Sequence, residues 1–388
     1  MTIAQSDVKT VNTPEMGKIF SISVAHLLND WYMNYIQTLL PFMVASGLSI
    51  SKGAFLVSAF TITASLLQPV FGYLVDQKNQ RWMVYAGTIW MAVLLSLIGL
   101  IHNYFLMFLI VAFAGLGTAA FHPQASAMIT SVSGDKKGLF QAIFVTAGNI
   151  GWAFTPLIVV PFIQLYGLKS TPIFVIPGLL VAFLLWLTSP KMISIKKTDH
   201  TSIFSVFKSK WTDLSKIIAV VAFRSLAYFG LVAFLPLYLK DKNISMRTSS
   251  HLLFIMLFCG ALGGLAGGYL SDKFGRKPII VGSLVMATPL FYLFLTTENP
   301  LNYLFLAFAG AALLASFSVT IVVAQDILTK NAAMASGLML GFSIGIGGLG
   351  ISIIGLLAEH FSLEYAVNLL IILPFIAGLL GLSINKNK

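Results

Sequence analysis

Few ionisable side chains lie deep in the apolar stretches of this sequence, and these residues could do chemistry there. Asp30 is the one acid that we place well inside such a stretch, and Arg224 is the one deep base. His26 and His122 complete the set. Ionisable groups in apolar segments are costly, so they indicate function by default. An aspartate in this setting can bind and release protons, and an arginine can bind an anion.

His26 and Asp30 are four residues apart and share one face if their segment is helical. A histidine beside an acid could relay protons, although a lone helical histidine is often simply hydrogen bonded. His122 precedes Pro123, which interrupts a helical hydrogen bond, so this histidine could line a cavity and handle protons or substrate. We therefore predict Asp30, His26, His122 and Arg224 as the proton-coupling residues, with the proton as coupling ion and no cofactor.

A second group of polar residues in the apolar segments could contact a substrate. Amides in such segments either bind substrate or join helices through hydrogen bonds, and helix joining is the simpler interpretation for any single amide. Gln68 belongs to this group. The residues that we predict for a substrate cavity are Asn29, Asn34, Gln37, Gln124, Gln141, Asn149 and Tyr228.

The elements that must position these residues are membrane helices. Of 388 residues, 57% are hydrophobic and only 10% are charged, whereas about 25% are charged in an ordinary globular domain. This composition excludes a soluble enzyme and a disordered chain, and the one cysteine excludes a disulfide scaffold. The apolar runs lack strand alternation, which predicts helices. We predict twelve, at 19–45, 53–75, 82–101, 104–129, 138–161, 171–188, 215–239, 249–271, 277–297, 301–327, 335–358 and 363–384.

The chain repeats itself after about half its length. GYLVD at 72–76 closes the second predicted helix, and GYLSD at 268–272 closes the eighth. Two parallel six-helix halves follow, and such parallel repeats are typical of one transporter architecture. We predict an N-terminal tail, a first bundle, a basic linker, a second bundle and a C-terminal tail, at residues 1–18, 19–188, 189–214, 215–384 and 385–388.

The basic residues orient the chain in the membrane. Most of the 24 lysines and arginines fall in segments that face the cytoplasm if the N terminus does. Cytoplasmic loops carry this excess, so we predict cytoplasmic termini in the plasma (inner) membrane of a bacterium. The same bias explains the net charge of +11 without nucleic acid. We expect a monomer whose partners are the lipid bilayer, protons and a small-molecule substrate.

GYLSDKFGRK at 268–277 is the most specific string in the chain. A glycine lets two helices approach closely, and an aspartate at a helix end can accept hydrogen bonds from a helix N terminus or an arginine. Such a latch could hold one face of a transporter shut, and the alternative is a solvated charged turn. The first-half copy at 72–81 is degenerate. The predicted latch residues are Gly72, Asp76, Arg81, Gly268, Asp272, Gly275, Arg276 and Lys277.

The same string resembles the loop motif of the major facilitator superfamily. With AHLLNDWYMNYIQTLLPFM at 25–43, SLLQPVFGYLVD at 65–76, FHPQAS at 121–126 and FSIGIGGLG at 342–350, it makes the chain similar to the fosmidomycin-resistance subfamily of drug exporters. The resemblance implies the major facilitator fold, an all-α integral membrane protein of twelve transmembrane helices in two pseudo-symmetric six-helix bundles. It also implies efflux that is driven by proton entry.

Two motifs depart from that resemblance. The His-Pro-Glu that we expect in the fourth helix reads His122-Pro123-Gln124, so a carboxylate is missing. AGNIGWAFTP at 147–156 matches only loosely the Gly- and Pro-rich motif in the fifth helix of drug/proton antiporters. Both departures bear on which residue carries the proton and on the charge of the substrate.

The resemblance places the first helix of each half against a central cavity. We hypothesise that Asp30 and Arg224 approach each other across it or bind different ligands there. The alternative is a fixed structural ion pair, or a cap within one half. Hydrolase, kinase, dinucleotide and metal-ligand patterns are lacking, so we expect no enzyme and no metal. The predicted function is proton-coupled efflux of a small drug-like or anionic compound, such as fosmidomycin, by alternating access. The alternative function is proton-coupled uptake of a small metabolite or anion.

Overall fold

The computed structural model describes residues 13–68, 70–71, 80–134, 137–190, 203–298, 300–328 and 332–384. Over these ranges the chain is helical and contains no strand. The helices of the first half are α1 Met16–Met33, α2 Tyr35–Ala45, α3 Ile50–Leu66, α4 Trp82–Ser96, α5 Tyr104–Val132, α6 Lys137–Tyr166 and α7 Val175–Thr188. Those of the second half are α8 Ile203–Asp241, α9 Met246–Phe274, α10 Arg276–Thr296, α11 Leu301–Ile327, α12 Ala332–His360 and α13 Leu363–Gly381.

These helices make the chain a multi-pass membrane protein. Within the described ranges, nine helical segments are long and apolar enough to cross a membrane, and Ile50–Leu66 and Ile344–His360 are shorter apolar helices. A crossing needs about 20 mostly apolar residues. The pair α1 and α2 supplies one more crossing, so the prediction of twelve membrane helices is confirmed.

Two helix boundaries differ from the prediction. The first crossing is interrupted at Asn34, whose side chain donates a hydrogen bond to the Trp152 carbonyl of α6, 2.9 Å away. Helix α8 begins at Ile203, inside the predicted linker 189–214. Apolar residues at positions 203, 207, 211 and 214 recur with helical spacing, which explains why this polar stretch continues as a helix.

An even number of crossings brings residues 13 and 384, the ends of the described chain, to one face, which we call the terminal face. The Glu15 backbone N–H bonds the Val132 carbonyl there, 3.0 Å away. On the same face Lys277 donates to the Ile384 carbonyl, 2.8 Å away. We call the opposite face, which carries the loop before Ile50, the far face.

Glycines allow the closest helix contacts within each half. A Cβ at Gly151 of α6 would overlap the backbone of Leu27 on α1. In the second half, Gly263 and Gly267 of α9 lie against the backbone of α11 in the same way. Small residues that recur on one face of a helix let membrane helices approach until their backbones are in contact. These contacts place α1 firmly on α6, and α1 carries His26 and Asp30.

The two halves meet along a seam in which α3 packs against α12, α6 against α9, and α2 against α8. The Ser51 backbone N–H at the start of α3 donates to Glu359 Oε2 at the end of α12, 2.9 Å away. Ser58, further along α3, donates to the Gly348 carbonyl. Phe154 of α6 stacks edge to face on Phe254 of α9, with ring centroids 5.2 Å apart.

Near the far face the seam contains a small space. Pro41, Pro156 and Pro236, from three helices of the two halves, surround a space of about 10 Å³ there, which is room for one water molecule. At the terminal face a larger cavity of about 140 Å³ lies beside Lys210, Lys216 and Asp326. The space at the far face is thus much smaller than the cavity at the terminal face.

Candidate functional site

Asp30 lies about halfway along the first crossing, between two histidines. His122 Nε2 on α5 is 2.9 Å from Asp30 Oδ1, and His26 Nε2 on α1 is 3.4 Å from Asp30 Oδ2. The two imidazole rings meet edge to face, with centroids 5.1 Å apart. The expected shared face of His26 and Asp30 is therefore seen, and α5 adds the third member. We call His26, Asp30 and His122 the midplane cluster.

His26 is held by α6. Its Nδ1 lies 2.6 Å from the Phe144 carbonyl oxygen, and its ring stacks on the Phe144 ring with centroids 3.8 Å apart. A carbonyl oxygen can only accept a hydrogen bond, so Nδ1 must carry a proton and donate. A Cβ at Gly148, one turn further along α6, would overlap both the His26 ring and Asp30 Oδ2. The absence of a side chain at Gly148 thus makes the room for the cluster.

His122 is held from α3. Gln68 Nε2 lies 3.4 Å from His122 Nδ1, and the same amide nitrogen donates to the Ala64 carbonyl, 2.9 Å away. The Ala64 carbonyl determines which end of the Gln68 amide points this way, because only the NH₂ group can donate to it. His122 Nδ1 therefore accepts, and its Nε2 carries the proton that is donated to Asp30 Oδ1.

The midplane cluster is buried but not sealed. The side chains of His26, Asp30 and His122 expose 8%, 16% and 17% of their surfaces. The exposed fraction is too small for free solvation of a charge, yet it is large enough for water to reach the carboxylate.

The same three side chains could hold a metal ion, because their ligand atoms lie within 4.8 Å of one another. The hydrogen bond from His26 Nδ1 to a carbonyl is typical of a histidine that binds metal through Nε2. The bond from Gln68 to His122 works against this, since it leaves the proton on the nitrogen that would have to bind the ion. The sequence alone does not reveal this grouping, since His122 comes from another helix.

Arg224 occupies the corresponding depth in the second half, on α8. Its side chain is 2% exposed, and Nη1 donates to Thr320 Oγ1 of α11, 3.1 Å away. The guanidinium also lies over the Phe317 ring, 4.8 Å from its centroid. A cation over an aromatic face is stabilised by the ring quadrupole, and more so when it is removed from water. Arg224 is therefore positioned by α11.

Asp30 and Arg224, which we hypothesised to meet across the cavity, each contact residues of their own half. Asp30 is directed to the two histidines of its own half, and Arg224 is directed to Thr320 and Phe317 of the other half. Of the two forms of the hypothesis, this conformation is compatible with separate ligands for Asp30 and Arg224 rather than with a mutual ion pair.

Two amides of the predicted cavity set form hydrogen bonds to other helices in this conformation. Asn29 is fully buried, and its Oδ1 accepts from Thr118 Oγ1 of α5, 3.3 Å away. Asn34 is fully buried too, and it bonds the Trp152 carbonyl of α6. This is the helix-joining role that an amide in an apolar segment can play. Gln37 is 1% exposed, which also places it away from any open space.

The remaining predicted cavity residues differ in exposure. Gln124 is fully buried, Tyr228 is half-buried, and Asn149 is exposed on α6 next to Gly148. The side chain of Gln141 lies outside the part of the chain that the structure describes. Tyr228 and Asn149 are therefore the members of this set that remain available to a solute.

The second-half copy of the predicted latch contains an ion pair and two of the predicted glycines. Arg276, at the start of α10, forms an ion pair with Asp326 at the end of α11, within the second half. Asp272 is exposed in the last turn of α9. Gly275 joins α9 to α10 with a φ of 90°, a conformation that favours glycine. A Cβ at Gly268 would lie 3.2 Å from Ser318 Oγ of α11.

The first-half copy of the latch is only partly described. Gly72 and Asp76 lie outside the described residues, and Arg81 directly precedes α4. Lys277 of the second copy bonds carbonyls at the end of the chain, at Leu382 and Ile384. The latch role of both copies stays a prediction.

Sequence reasoning missed the residues that hold the cluster in place. Phe144 contributes a backbone carbonyl, which no sequence pattern marks, and Gly148 contributes the absence of a side chain. The loose glycine motif at 147–156 was the available signal for Gly148. Phe317 and Thr320 are ordinary helix residues in the sequence, and only the packing of α8 on α11 brings them to Arg224.

Comparison with known proteins places these features in a family. The family model for the Major Facilitator Superfamily matches residues 22–260 and 220–385. The fosmidomycin resistance protein of Escherichia coli K12 is 30% identical over 380 residues, which cover 96% of this chain and 93% of that protein. The sialic acid transporter NanX of the same organism is 24% identical over 297 residues, 74% of this chain and 73% of that one.

The fold has close counterparts among solved structures. A bacterial homolog of the human lysosomal transporter Spinster superposes with a TM-score of 0.79 at 18% sequence identity, over 95% of this chain and 98% of that chain. At this level of identity the likeness concerns the fold, which agrees with the arrangement of the two halves described above.

Proposed function

The chain belongs to the Major Facilitator Superfamily, and on that premise we propose that it exports a small drug-like or anionic compound, such as fosmidomycin, in exchange for protons. The protein is a transporter and not an enzyme. Export by alternating access needs a site for each of the two ligands and a barrier that changes sides. The described residues provide a group for each requirement.

The observation that carries the proposal is the position of Asp30 between two histidines midway through the membrane, with His122 donating to Asp30 Oδ1. A carboxylate with imidazole partners can take up a proton on one side and release it on the other, because imidazole changes charge near physiological pH. Partial exposure of Asp30 and His122 supplies the access that such exchange needs. The midplane cluster is accordingly the proton site of the proposal.

The seam supplies the moving barrier. With Ser51 bonded to Glu359 and a space for one water among the three prolines, the far face is closed in this conformation. The distribution of basic residues supports an orientation in which the far face is the outer one and the terminal face is the cytoplasmic one. The protein would then bind its cargo from the cytoplasm, and export would require the seam to part while the terminal face closes.

Arg224 supports an anionic cargo. It is buried at the depth of the midplane cluster but in the opposite half, next to Phe317 and one helical turn from Tyr228. A guanidinium binds phosphonate or carboxylate groups through paired hydrogen bonds, and the surrounding aromatic rings suit an apolar body. The 30% identity with a fosmidomycin resistance protein supports the same class of cargo.

Inside-out membrane vesicles test the proposal. Respiration acidifies the lumen, and fosmidomycin is then added outside. Antiport moves the compound inward and protons outward, so the lumen becomes more alkaline and a quenched pH-sensitive dye recovers fluorescence. Vesicles that contain the Asp30→Asn variant are the control, because an amide cannot carry the proton. Full recovery with Asp30→Asn would refute the role of Asp30.

Proton-coupled uptake is the second function, because Arg224 suits an anion that moves in either direction. A symporter in the same vesicles would carry protons into the lumen together with the added compound, so the dye signal would change in the opposite sense. A panel of anions, with sialic acid included because of the relative NanX, extends the assay. No pH response to any compound of the panel would refute both proton schemes.

A further inference from the structure

The hydrogen bonds around the midplane cluster determine which nitrogen of each histidine carries a proton. At His122 the Gln68 amide donates to Nδ1, so the neutral ring keeps its proton on Nε2. That proton is donated to Asp30 Oδ1 over 2.9 Å. All polar positions of this ring are then satisfied with His122 neutral, and an additional proton would have to displace the bond from Gln68.

His26 has the opposite tautomer. Its Nδ1–H donates to the Phe144 carbonyl, so the lone pair of the neutral ring is on Nε2. This lone pair faces Asp30 Oδ2 at 3.4 Å. Two acceptors that face each other at this distance repel, and both are removed from most of the water. One proton between them converts the repulsion into a charge-assisted hydrogen bond.

From this difference we infer that a single proton per cycle binds between His26 Nε2 and Asp30 Oδ2, and that His122 is a positioning residue that donates its Nε2 proton to Asp30 Oδ1. The inference rests on the proposed function and assigns its proton to two atoms. On binding, a proton from water forms an N–H bond at His26 Nε2 and gives an imidazolium beside the carboxylate. On release, that N–H bond breaks, the proton returns to water on the other side, and His26 is neutral again.

The neighbours of the pair are compatible with this assignment. Of the described residues, the titratable groups that face it are His122 on α5 and, within electrostatic range of Asp30, the Tyr228 phenol on α8. Helix α6 presents the Phe144 carbonyl and Gly148, and α3 presents the Gln68 amide. Tyr228 belongs to the other half, so its distance from the pair changes when the halves move. This dependence would link proton affinity to the conformation.

A divalent cation is the competing occupant of the same position. It would need the lone pairs of both histidines, and the proton on His122 Nε2 removes one of them. A metal ion therefore requires the Gln68 amide to turn away from the Ala64 carbonyl, with loss of the hydrogen bond between them. A proton requires no such change, which is why the geometry favours the proton.

Nitrogen-15 NMR of histidine-labelled protein in lipid nanodiscs tests the assignment without any substrate. We expect the signal of His26 to titrate from the Nδ1–H neutral form to the imidazolium as the pH falls. The signal of His122 should show the Nε2–H tautomer at the pH where His26 is neutral. The two signals are assigned by their loss in His26→Gln and His122→Gln. A constant signal of His26 across the pH range, or an Nδ1–H tautomer at His122, would overturn the inference.

Transport measurements distinguish the two histidines in a second way. His122→Gln retains a donor toward Asp30 Oδ1, so proton exchange should persist at a several-fold lower rate and with an unchanged proton-to-substrate ratio. His26→Gln cannot titrate, so proton movement should fall to background. His251→Gln, in an exposed position on α9, is the matched control for the chemical change. A loss of coupling in His122→Gln with coupling retained in His26→Gln would contradict the assignment.

The outcomes separate this inference from the proposed function. If the NMR titration is as expected but no anion produces a pH response, the proton site stands and the proposed function fails. If Zn²⁺ binds the purified protein stoichiometrically and His26→Gln removes that binding, the cluster is a metal site and the inference is wrong.

Discussion

Gly148 on α6 lies so close to Asp30 on α1 that a Cβ at this position would overlap the Asp30 carboxylate. The neighbouring atoms are the ends of two side chains, Asp30 Oδ2 and the His26 ring, rather than backbone. Side-chain ends can move aside, so the fold would tolerate an added methyl group, but the geometry of the pair would not.

Gly148→Ala should therefore abolish proton-coupled transport and leave the fold intact. The methyl group separates His26 Nε2 from Asp30 Oδ2, and alanine is about 1 kcal/mol more favourable than glycine in a helix. The measurements are the dye response in inside-out vesicles and the thermal midpoint in detergent. Gly282→Ala on α10 is a matched control, because a Cβ there meets no atom within 4 Å. Normal coupling in Gly148→Ala would show that the close contact has no functional role.

Gly151→Ala, one turn further along α6, should lower the stability of the fold. A Cβ there meets the backbone of Leu27, which cannot move without shifting α1. Overpacking of this kind costs about 1–3 kcal/mol, so the thermal midpoint in detergent should fall. An unchanged midpoint for Gly151→Ala would mean that α1 and α6 do not approach as closely as the structure indicates.

Arg224→Gln should weaken the binding of an anionic cargo and leave proton binding in place. A hydrogen bond to a charged group contributes about 1.5–3 kcal/mol, so the substrate concentration for half-maximal transport should rise tenfold or more. For Arg224→Lys this concentration should lie between the values for the unchanged protein and for Arg224→Gln, because lysine keeps the charge but loses the paired geometry. The measurement is the substrate dependence of the dye response. An equal loss of affinity for an uncharged substrate would instead indicate a structural role for Arg224.

Glu359→Ala should open the far face more often, because it removes the acceptor for the Ser51 N–H that joins α12 to α3. Accessibility is measured with a cysteine at Thr38, which lines the small space among the prolines, in a Cys259→Ser background. A membrane-impermeant maleimide should label intact cells several-fold faster in Glu359→Ala. Glu359→Gln keeps an oxygen acceptor and serves as the control. Labelling of Thr38→Cys from the cytoplasmic side alone would reverse the proposed orientation.

Arg276 and Asp326 should support the transport rate through the attraction between their charges, whichever of the two positions carries the positive charge. Each single alanine variant should slow transport several-fold, because the connection between α9 and α10 loses its tie to α11. The exchange Arg276→Asp with Asp326→Arg should restore most of the rate, since the attraction does not depend on which side carries which charge. Partly exposed pairs are weak, so the ratio of rates in vesicles is the suitable measurement. Equal defects in the single variants and the exchange would exclude a role for the pair.

The sequence by itself determined the twelve crossings, because each needs a run of apolar residues that composition reveals directly. It also placed His26 and Asp30 on one face, since residues four apart in a helix are neighbours. These features depend on interactions within one helix. They are local, and a single sequence contains them.

Only the tertiary structure decided how the polar groups are paired. His122 joins Asp30 from α5, the Phe144 carbonyl gives His26 its tautomer, and Arg224 turns to Thr320 on α11. Asn29 accepts from Thr118 on α5, and Asn34 donates to the Trp152 carbonyl on α6. These partners are distant in the chain, and a buried polar group takes whichever partner the packing of the helices brings within hydrogen-bond distance.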